Sequence, residues 1–448
     1  MEGIPSIGGE HITREGTFDF ARIKYVPLDF ARAMVKGHLK VGDVLVVKDG
    51  ATTGKVALVG SGFPFLSAVV NEHVFICRVK PEVDPAYVSY YLRSADGQRM
   101  ILDDFRGAAQ GGISRGFVRG VTLPIAPLPE QRRIVEAIET RFARLDGAVR
   151  ALERARANLK RYRASVLRDA YTGKLVPQEA NLHPDPNAPY EDGPALIRRI
   201  GGREFEPELR ANPEGWGRAA IGSLFKVQVG ATPSRRVESY WGGDIPWVSS
   251  GEVDWNRIRS TRESITQAGL NNSATKVLPR GTVLLGMIGQ GKTRGQAAIL
   301  DIEGCSNQNA AGIQVGEKGL PPEFVYYFFA YRYERTRAEG SGNQQQALNK
   351  SLVQNIVMPI PPIGEQRRIV AEIDRRFSIA DEVVADVQRG LQKCAQLREV
   401  TMKWAFEGRL VAQDPNDEPA SALLERIKTA GQATSEPVRR SRRLPAAE

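Results

Sequence analysis

Residues 124–142 read PIAPLPEQRRIVEAIETRF and residues 359–377 read PIPPIGEQRRIVAEIDRRF, an ungapped match at an offset of 235 residues (359 against 124). In each copy a proline-rich lead gives way to Glu-Gln-Arg-Arg-Ile-Val, and no further proline occurs from Ile134 to Ala170. Proline breaks a helix interior, so a long proline-free stretch with periodic apolar residues predicts a long helix. Ile138, Leu145, Leu152, Leu159 and Val166 recur at seven-residue steps, with Phe142 and Val149 on a second seam. The matching positions are Ile373, Ala380, Val387, Cys394 and Thr401, with Phe377, Val384 and Leu391 on the other seam. This is a coiled-coil heptad pattern, and the smaller second stripe suits a partner with larger side chains. Each helix of about 40 residues spans roughly 60 Å. Gly173 and Gly408 are expected C-terminal stops.

Working outward, the repeat continues on both sides. Downstream, GKLVPQ at 173–178 faces GRLVAQ at 408–413, DPNAP at 185–189 is echoed by DPNDEP at 414–419, and ALIRRI by LLERI. Upstream, GDVLVVKDG at 42–50 parallels GTVLLGMIG at 281–289, PAYVSYYL at 85–92 parallels PEFVYYFF at 322–329, and GAAQGGIS at 107–114 faces GNQQQALN at 342–349. The unit is a globular part of mixed β and α character followed by a long helix, and it occurs twice. The natural cover for one apolar stripe is the other. The expected fold is therefore α+β, with two globular domains separated by two long helices that form an antiparallel intramolecular coiled coil, a pseudo-two-fold repeat.

The repeat also bears on GMIGQGKT at 286–293, which matches the phosphate-binding pattern G-x-x-x-x-G-K-[ST]. A P-loop follows a strand and opens a helix. Here Gly295 and the short AAIL leave no evident helix, Asp301 sits close enough to belong to the next strand of a hairpin, and the parallel stretch KDGATTGKVALV at 48–59 lacks the motif. Both copies read as strand, glycine-rich turn, strand. The ATPase reading of Gly286–Thr293 stands as an alternative.

At 448 residues, 42% of them hydrophobic, the chain is long enough for two or more domains with cores of their own. No run approaches the roughly 18 apolar residues of a membrane span, and MEGIPSIGGE has neither the basic nor the apolar region of a signal peptide, so a cytoplasmic location is expected. Cys77, Cys305 and Cys394 lie far apart without C-x-x-C, and His11, His38, His73 and His183 form no pair at metal spacing. Neither a disulfide framework nor a metal site is expected. The 62 Lys plus Arg against 52 Asp plus Glu leave +10, which favours a polyanionic partner such as nucleic acid over an acidic small substrate.

The motifs PLPEQRRIVEAIETRFARLD at 127–146 and PPIGEQRRIVAEIDRRFSIAD at 361–381, with GWGRAAIGSLFKVQVGATPS at 215–234 and YWGGDIPWVSSGEVD at 240–254, resemble the specificity subunit of type I restriction-modification enzymes over almost the whole chain. The resemblance implies a sequence-specific DNA-binding subunit without catalysis of its own. It reads a bipartite target in double-stranded DNA, one half-site per domain, while the helical spacer sets the unread gap. Two modification subunits carrying S-adenosylmethionine and restriction/translocase subunits using ATP and magnesium are the implied partners, and no cofactor is implied on this chain. Consistently, no N-P-P-[YF] methyltransferase motif, G-x-G-x-x-G loop or nuclease carboxylate set is found. A non-DNA-binding coiled-coil scaffold is the remaining alternative.

The resulting division is a first target-recognition domain at 1–126, a central helix at 127–176, a linker at 177–215, a second recognition domain at 216–361, a distal helix at 362–411 and a tail at 412–448. IPSIGGEHIT at 4–13 corresponds to IPWVSSGEVD at 245–254, so the first domain lacks a counterpart to roughly residues 216–244. A misplaced start, a natural shortening and completion by other chain segments stay open.

Base reading needs Arg or Lys for guanine and Asn or Gln for adenine, while phosphate contact needs only placed donors. The segments before the helices offer Arg106, Gln110, Ser114, Arg115 and Arg119 in the first copy and Asn343, Gln344, Gln345, Gln346, Asn349 and Lys350 in the second. Ser234, Arg235, Arg236, Lys292 and Arg294 are further DNA candidates from other loops. Glu130, Gln131, Arg132 and Arg133, with Glu365, Gln366, Arg367 and Arg368, start the two helices; they are read both as caps and, by the resemblance, as a partner-subunit interface. The Arg cluster at 439–443 is expected to add only non-specific phosphate attraction.

Overall fold

The computed structural model describes residues 3–107, 111–183, 190–205, 213–289, 292–339 and 347–433, the last four by backbone alone. The chain forms two compact units, residues 1–153 with 388–448 and residues 154–387. The division cuts both long helices, so each unit owns one globular part and one end of each helix.

In the first unit the strand Asp43–Val47 lies between Val56–Leu58 and Val74–Arg78, antiparallel to both. All five residues of the central strand are buried, as a strand covered on both faces requires. A smaller sheet places Gly3–Ile7 between Lys24–Pro27, antiparallel, and Val69–Val70, parallel. The helix Pro85–Arg93 starts with Asp84, whose carboxylate accepts from the Ala86 and Tyr87 N–H groups, and with proline at its first position.

The second unit repeats these parts. Thr282–Gly286 lies between Ala297–Leu300 and Ala310–Gln314, again antiparallel, and Asn256–Ile258 and Val227–Val229 extend the sheet to five strands. The strand Trp241–Val248 pairs with Glu263–Ile265, antiparallel, and Cys305–Ser306, parallel. A further pair, Gly217–Ala220 with Val357–Ile360, precedes the second long helix. Residues 121–127, which match 356–362, form no strand. Their partner segment has no counterpart in the first unit. The helix Pro322–Tyr331 is the equivalent of Pro85–Arg93.

The octapeptide at 286–293 crosses the hairpin between Thr282–Gly286 and Ala297–Leu300; Gly286 N–H donates to Gln296 O at 2.9 Å and Leu285 pairs with Ala297. A strand follows where a P-loop requires a helix. Gln290 and Gly291 lie outside the described residues.

The long helices run over Leu128–Ala170 and Ile363–Phe406. Both end alike: Lys174 N–H donates to Asp169 O and Arg409 N–H to Trp404 O, both at 2.8 Å, around left-handed Gly173 (φ 72°) and Gly408 (φ 70°). These are six-to-one C-terminal caps with the expected glycines at the left-handed position. Within the first unit Ile134 and Ile138 pack with Met402 and Ala405, Leu152 lies against Gly390, and Asp146 pairs with Arg398. Within the second, Val166, Leu167 and Ala170 share a core with Ile369 and Ile373, and Arg163 pairs with Asp381. As numbers rise on one helix they fall on the other, so the packing is antiparallel in each unit. The small stripe is buried at Ala380 (1%), Val387 (4%), Cys394 (8%) and Thr401 (5%). Val384, expected on the second seam, is instead 37% exposed. At that level Ala380 and Val387 alone are covered.

The expected connection at 177–215 contains a helix, Gly193–Arg199, whose Leu196 and Ile197 are fully buried in the core of the second unit. In the first unit the helix Ala420–Ala433 takes the corresponding part of the repeat and buries Leu423. Lys318 Nζ donates to Ile200 O at 3.0 Å, and Lys80 Nζ donates to Ile427 O at 3.3 Å.

Candidate nucleic-acid interface

In both units the segment before the long helix is tied to the glycine-rich hairpin by one backbone hydrogen bond. Ile113 N–H donates to Lys48 O at 2.8 Å, and Leu348 N–H donates to Met287 O at 2.9 Å. This tie brings together candidates far apart in sequence: Arg106, Ser114 and Arg115 beside the turn at 48–55, and Asn349 and Lys350 beside the turn carrying Lys292. Loops held on a β scaffold are where recognition residues collect.

In the first unit Arg106 exchanges two backbone bonds with Gly112, at 2.9 and 3.0 Å, and its exposed guanidinium lies 3.9 Å from Asp104. Ser114 is engaged: its N–H and Oγ–H both donate to Asp104 Oδ2 at 2.7 Å. Those bonds hold the Asp104 carboxyl below the usual carboxylate range. Arg115 and Arg119 are exposed, and Gln110 lies outside the described residues.

In the second unit Lys292 is exposed, whereas Arg294 is 8% exposed and points inward. Surface contact from Arg294, expected from its charge, is not what this conformation offers, because Arg294 opens a run, 294–300, that is buried throughout. The loop backbone is gripped from the helix Tyr333–Ala338. Tyr333 OH donates to Lys292 O at 2.7 Å, and Arg337 Nη1 donates to Lys292 O at 3.3 Å and Arg294 O at 3.4 Å. Sequence reasoning missed this clamp, although Tyr333 and Arg337 are one helical turn apart. Asn349 caps the short helix Lys350–Gln354, its Oδ1 accepting from Leu352 N–H at 2.8 Å, and Lys350 is exposed. Asn343, Gln344, Gln345 and Gln346 lie outside the described residues.

The loop at 234–236 divides. Arg235 forms a two-pronged pair with Glu263, one contact being 2.9 Å, and stacks 3.7 Å from the Trp241 ring centroid. The Arg235 hydrogen bond draws the Glu263 carboxyl down. Arg235 is thus a strut for the loop, while Ser234 and Arg236 remain exposed. Asp301, the carboxylate that a P-loop reading would give to magnesium, is bound by Arg257 at 2.7 and 2.8 Å and is held low by that hydrogen bond. No group of three potential metal ligands occurs among the described residues.

The Glu-Gln-Arg-Arg motifs turn largely inward. Gln131 is fully buried; its Nε2 donates to Ala126 O at 2.8 Å and its Oε1 accepts from Asp84 N–H at 2.9 Å. Gln366 donates to Pro361 O at 2.9 Å, but its Oε1 has no partner, because Pro321 replaces Asp84 and carries no N–H. Glu365, fully buried, accepts from Trp216 Nε1 at 2.9 Å and from Glu179 N–H at 3.0 Å. Burial raises its pKa above the usual carboxylate value against those bonds. Glu130 is 5% exposed. Arg133 pairs with Asp417 at 2.7 Å and Arg368 with Glu179 at 2.6 Å. Five of the eight motif residues therefore fasten lead, helix and following segment, each within its own unit. Only Arg132 and Arg367 are exposed to meet a partner.

One residue had no sequence signal. Trp255 has φ 52°, the only positive φ outside glycine among the described residues. For a bulky side chain such strain costs on the order of 1–3 kcal/mol and persists where surrounding structure imposes it. Its ring meets Tyr326 and Tyr333 edge-on.

Residues 213–382 match the model of the type I restriction modification DNA specificity domain. The chain is 25% identical over 383 residues to the type I restriction enzyme EcoBI specificity subunit of Escherichia coli, covering 81% of this chain and 75% of that protein. To the EcoKI specificity subunit of Escherichia coli strain K12 it is 23% identical over 448 residues, covering 95% and 88%. Its fold is similar to the crystal structure of the HsdS subunit from Thermoanaerobacter tengcongensis, with TM-score 0.56, 18% identity and 91% of each chain covered. A structure from work on complex assembly and conformational transition of the type I R-M system matches with TM-score 0.63, 19% identity and 91% and 92% coverage.

Proposed function

We propose that this chain is the DNA sequence-recognition subunit of a type I restriction-modification complex, without catalysis of its own. The observation that carries the reading is the duplicated arrangement of a hairpin, a pre-helix segment tied to it and a long helix. Two recognition surfaces in one polypeptide suit a bipartite target, one half-site per globular domain, with the paired helices setting the unread gap. The exposed cations Arg106, Arg115, Arg119, Arg236, Lys292 and Lys350 supply phosphate or guanine contacts, and Ser234 and Asn349 supply polar ones. Methylation and cleavage then belong to modification subunits carrying S-adenosylmethionine and restriction subunits using ATP and magnesium.

Methylome sequencing of cells expressing this chain with its modification partner tests the reading. A split methylated motif is expected, and exchanging residues 216–361 for those of a relative should change one half of it while leaving the other half and the gap intact. A contiguous motif, or both halves changing together, contradicts it.

A further inference from the structure

In the second unit a groove of about 610 Å³ lies between the helix Pro322–Tyr331 and the ends of the long helices. Its walls are aromatic: Trp255, Tyr326, Tyr327, Tyr333 and Phe377. Its charged lining residues are Arg163, Asp374 and Asp381, which leave one net negative charge. The Asp374 carboxylate accepts from Tyr327 OH and forms no ion pair among the described residues, while Asp381 pairs with Arg163 at the far side. The left-handed Trp255 backbone sets the indole into this wall.

The first unit keeps part of this construction, with Ser89 in place of Tyr326 and Asp96 in place of Tyr333, and a side chain of its own occupies it. Tyr90, the equivalent of Tyr327, meets Phe142 edge-on at 6.1 Å, as Tyr327 meets Phe377 at 5.8 Å. Arg398 covers Phe142 as Arg163 covers Phe377, at 4.9 and 5.2 Å. On the short helix Arg93 also stands at the position of Ala330. The Arg93 guanidinium lies 5.2 Å from the Tyr90 ring centroid and donates to Glu15 O. Where the first unit supplies the Arg93 guanidinium, the second presents a methyl group, an open aromatic wall and a carboxylate with no ion pair among the described residues.

We propose that this groove binds an arginine side chain presented by a partner polypeptide. A guanidinium stacks on aromatic faces and offers a planar fork to a carboxylate, which an ammonium cannot do in the same geometry. Asp374, which is not in an ion pair among the described residues, disfavours a DNA phosphate at the same place. The inference concerns a protein contact and does not depend on which DNA sequence is read.

The test is a titration of the full chain with capped Gly-Arg-Gly peptide, against the same peptide with citrulline, followed by saturation-transfer NMR. Saturable binding of the arginine peptide, at least tenfold tighter than the citrulline peptide, is expected. Ala330→Arg, which copies the filled first unit, should abolish it, and Asp374→Asn should weaken it about tenfold, with circular dichroism unchanged in both. Equal binding of the two peptides, undiminished binding in folded Ala330→Arg and Asp374→Asn, or displacement of the peptide by a short DNA duplex overturns the proposal.

Discussion

Gln131 and Gln366 occupy the same place in the two repeats and do unequal work. Gln131 satisfies both ends of its amide, whereas Gln366 leaves Oε1 buried and unpartnered because a proline stands where Asp84 offers an N–H. A typical net hydrogen bond contributes about 1 kcal/mol, and stranding a buried donor or acceptor costs more. Gln131→Leu should therefore lower the urea midpoint of the first unit by more than Gln366→Leu lowers that of the second, by roughly 1 kcal/mol or more in stability. Equal losses would contradict the bonding just described. Lys292 permits a second test at this scale. It is exposed at the tip of a hairpin whose backbone is already gripped by Tyr333 and Arg337. Lys292→Ala should weaken DNA binding about equally for all sequences, lower the salt slope by about 1 and leave nucleotide affinity unchanged. Fluorescence anisotropy at several salt concentrations measures the first two, and calorimetry with ATP the third. Loss of ATP binding would restore the P-loop reading against the hairpin geometry.

At the scale of elements, the two long helices stop by one device but in different surroundings. A β-carbon on Gly173 would meet Pro213 at 2.7 Å, whereas one on Gly408 meets nothing nearer than Gln413 at 3.9 Å. Gly408→Ala pays only the left-handed penalty of about 1–2 kcal/mol, and Gly173→Ala adds a clash. Thermal unfolding should show the larger loss for Gly173→Ala, and a reversed order would mean that the 213 segment gives way freely. The helices, their stops and the strand–turn–strand character of the hairpins were legible because each rests on local periodicity or on proline and glycine chemistry. Val384 was misplaced because a seven-residue pattern marks an apolar stripe but not how far the partner covers it. The helix Gly193–Arg199 was missed inside a proline-rich stretch, since its burial depends on a core formed by distant strands.

On the scale of the whole molecule, the net charge of +10 supplies an attraction for a polyanion that is independent of sequence, and the candidate surface divides that charge. From the sequence Arg235 and Arg294 are DNA candidates, and Arg133 and Arg368 are caps or part of a partner-subunit interface. Folding commits Arg235 to Glu263, turns Arg294 inward and spends Arg133 and Arg368 on Asp417 and Glu179. By itself the sequence determined the duplication, the two long helices and the strand–turn–strand reading of GMIGQGKT, because repeats, heptads and turn residues act over short spans of chain. Only the tertiary structure decided which cations face solvent, which helix-start residues serve as internal fasteners and why an aromatic groove stands open in the second unit while Arg93 occupies the matching place in the first. Those outcomes follow from contacts between residues such as Arg93 and Glu15 or Tyr327 and Asp374, whose meeting depends on how the strands and helices pack.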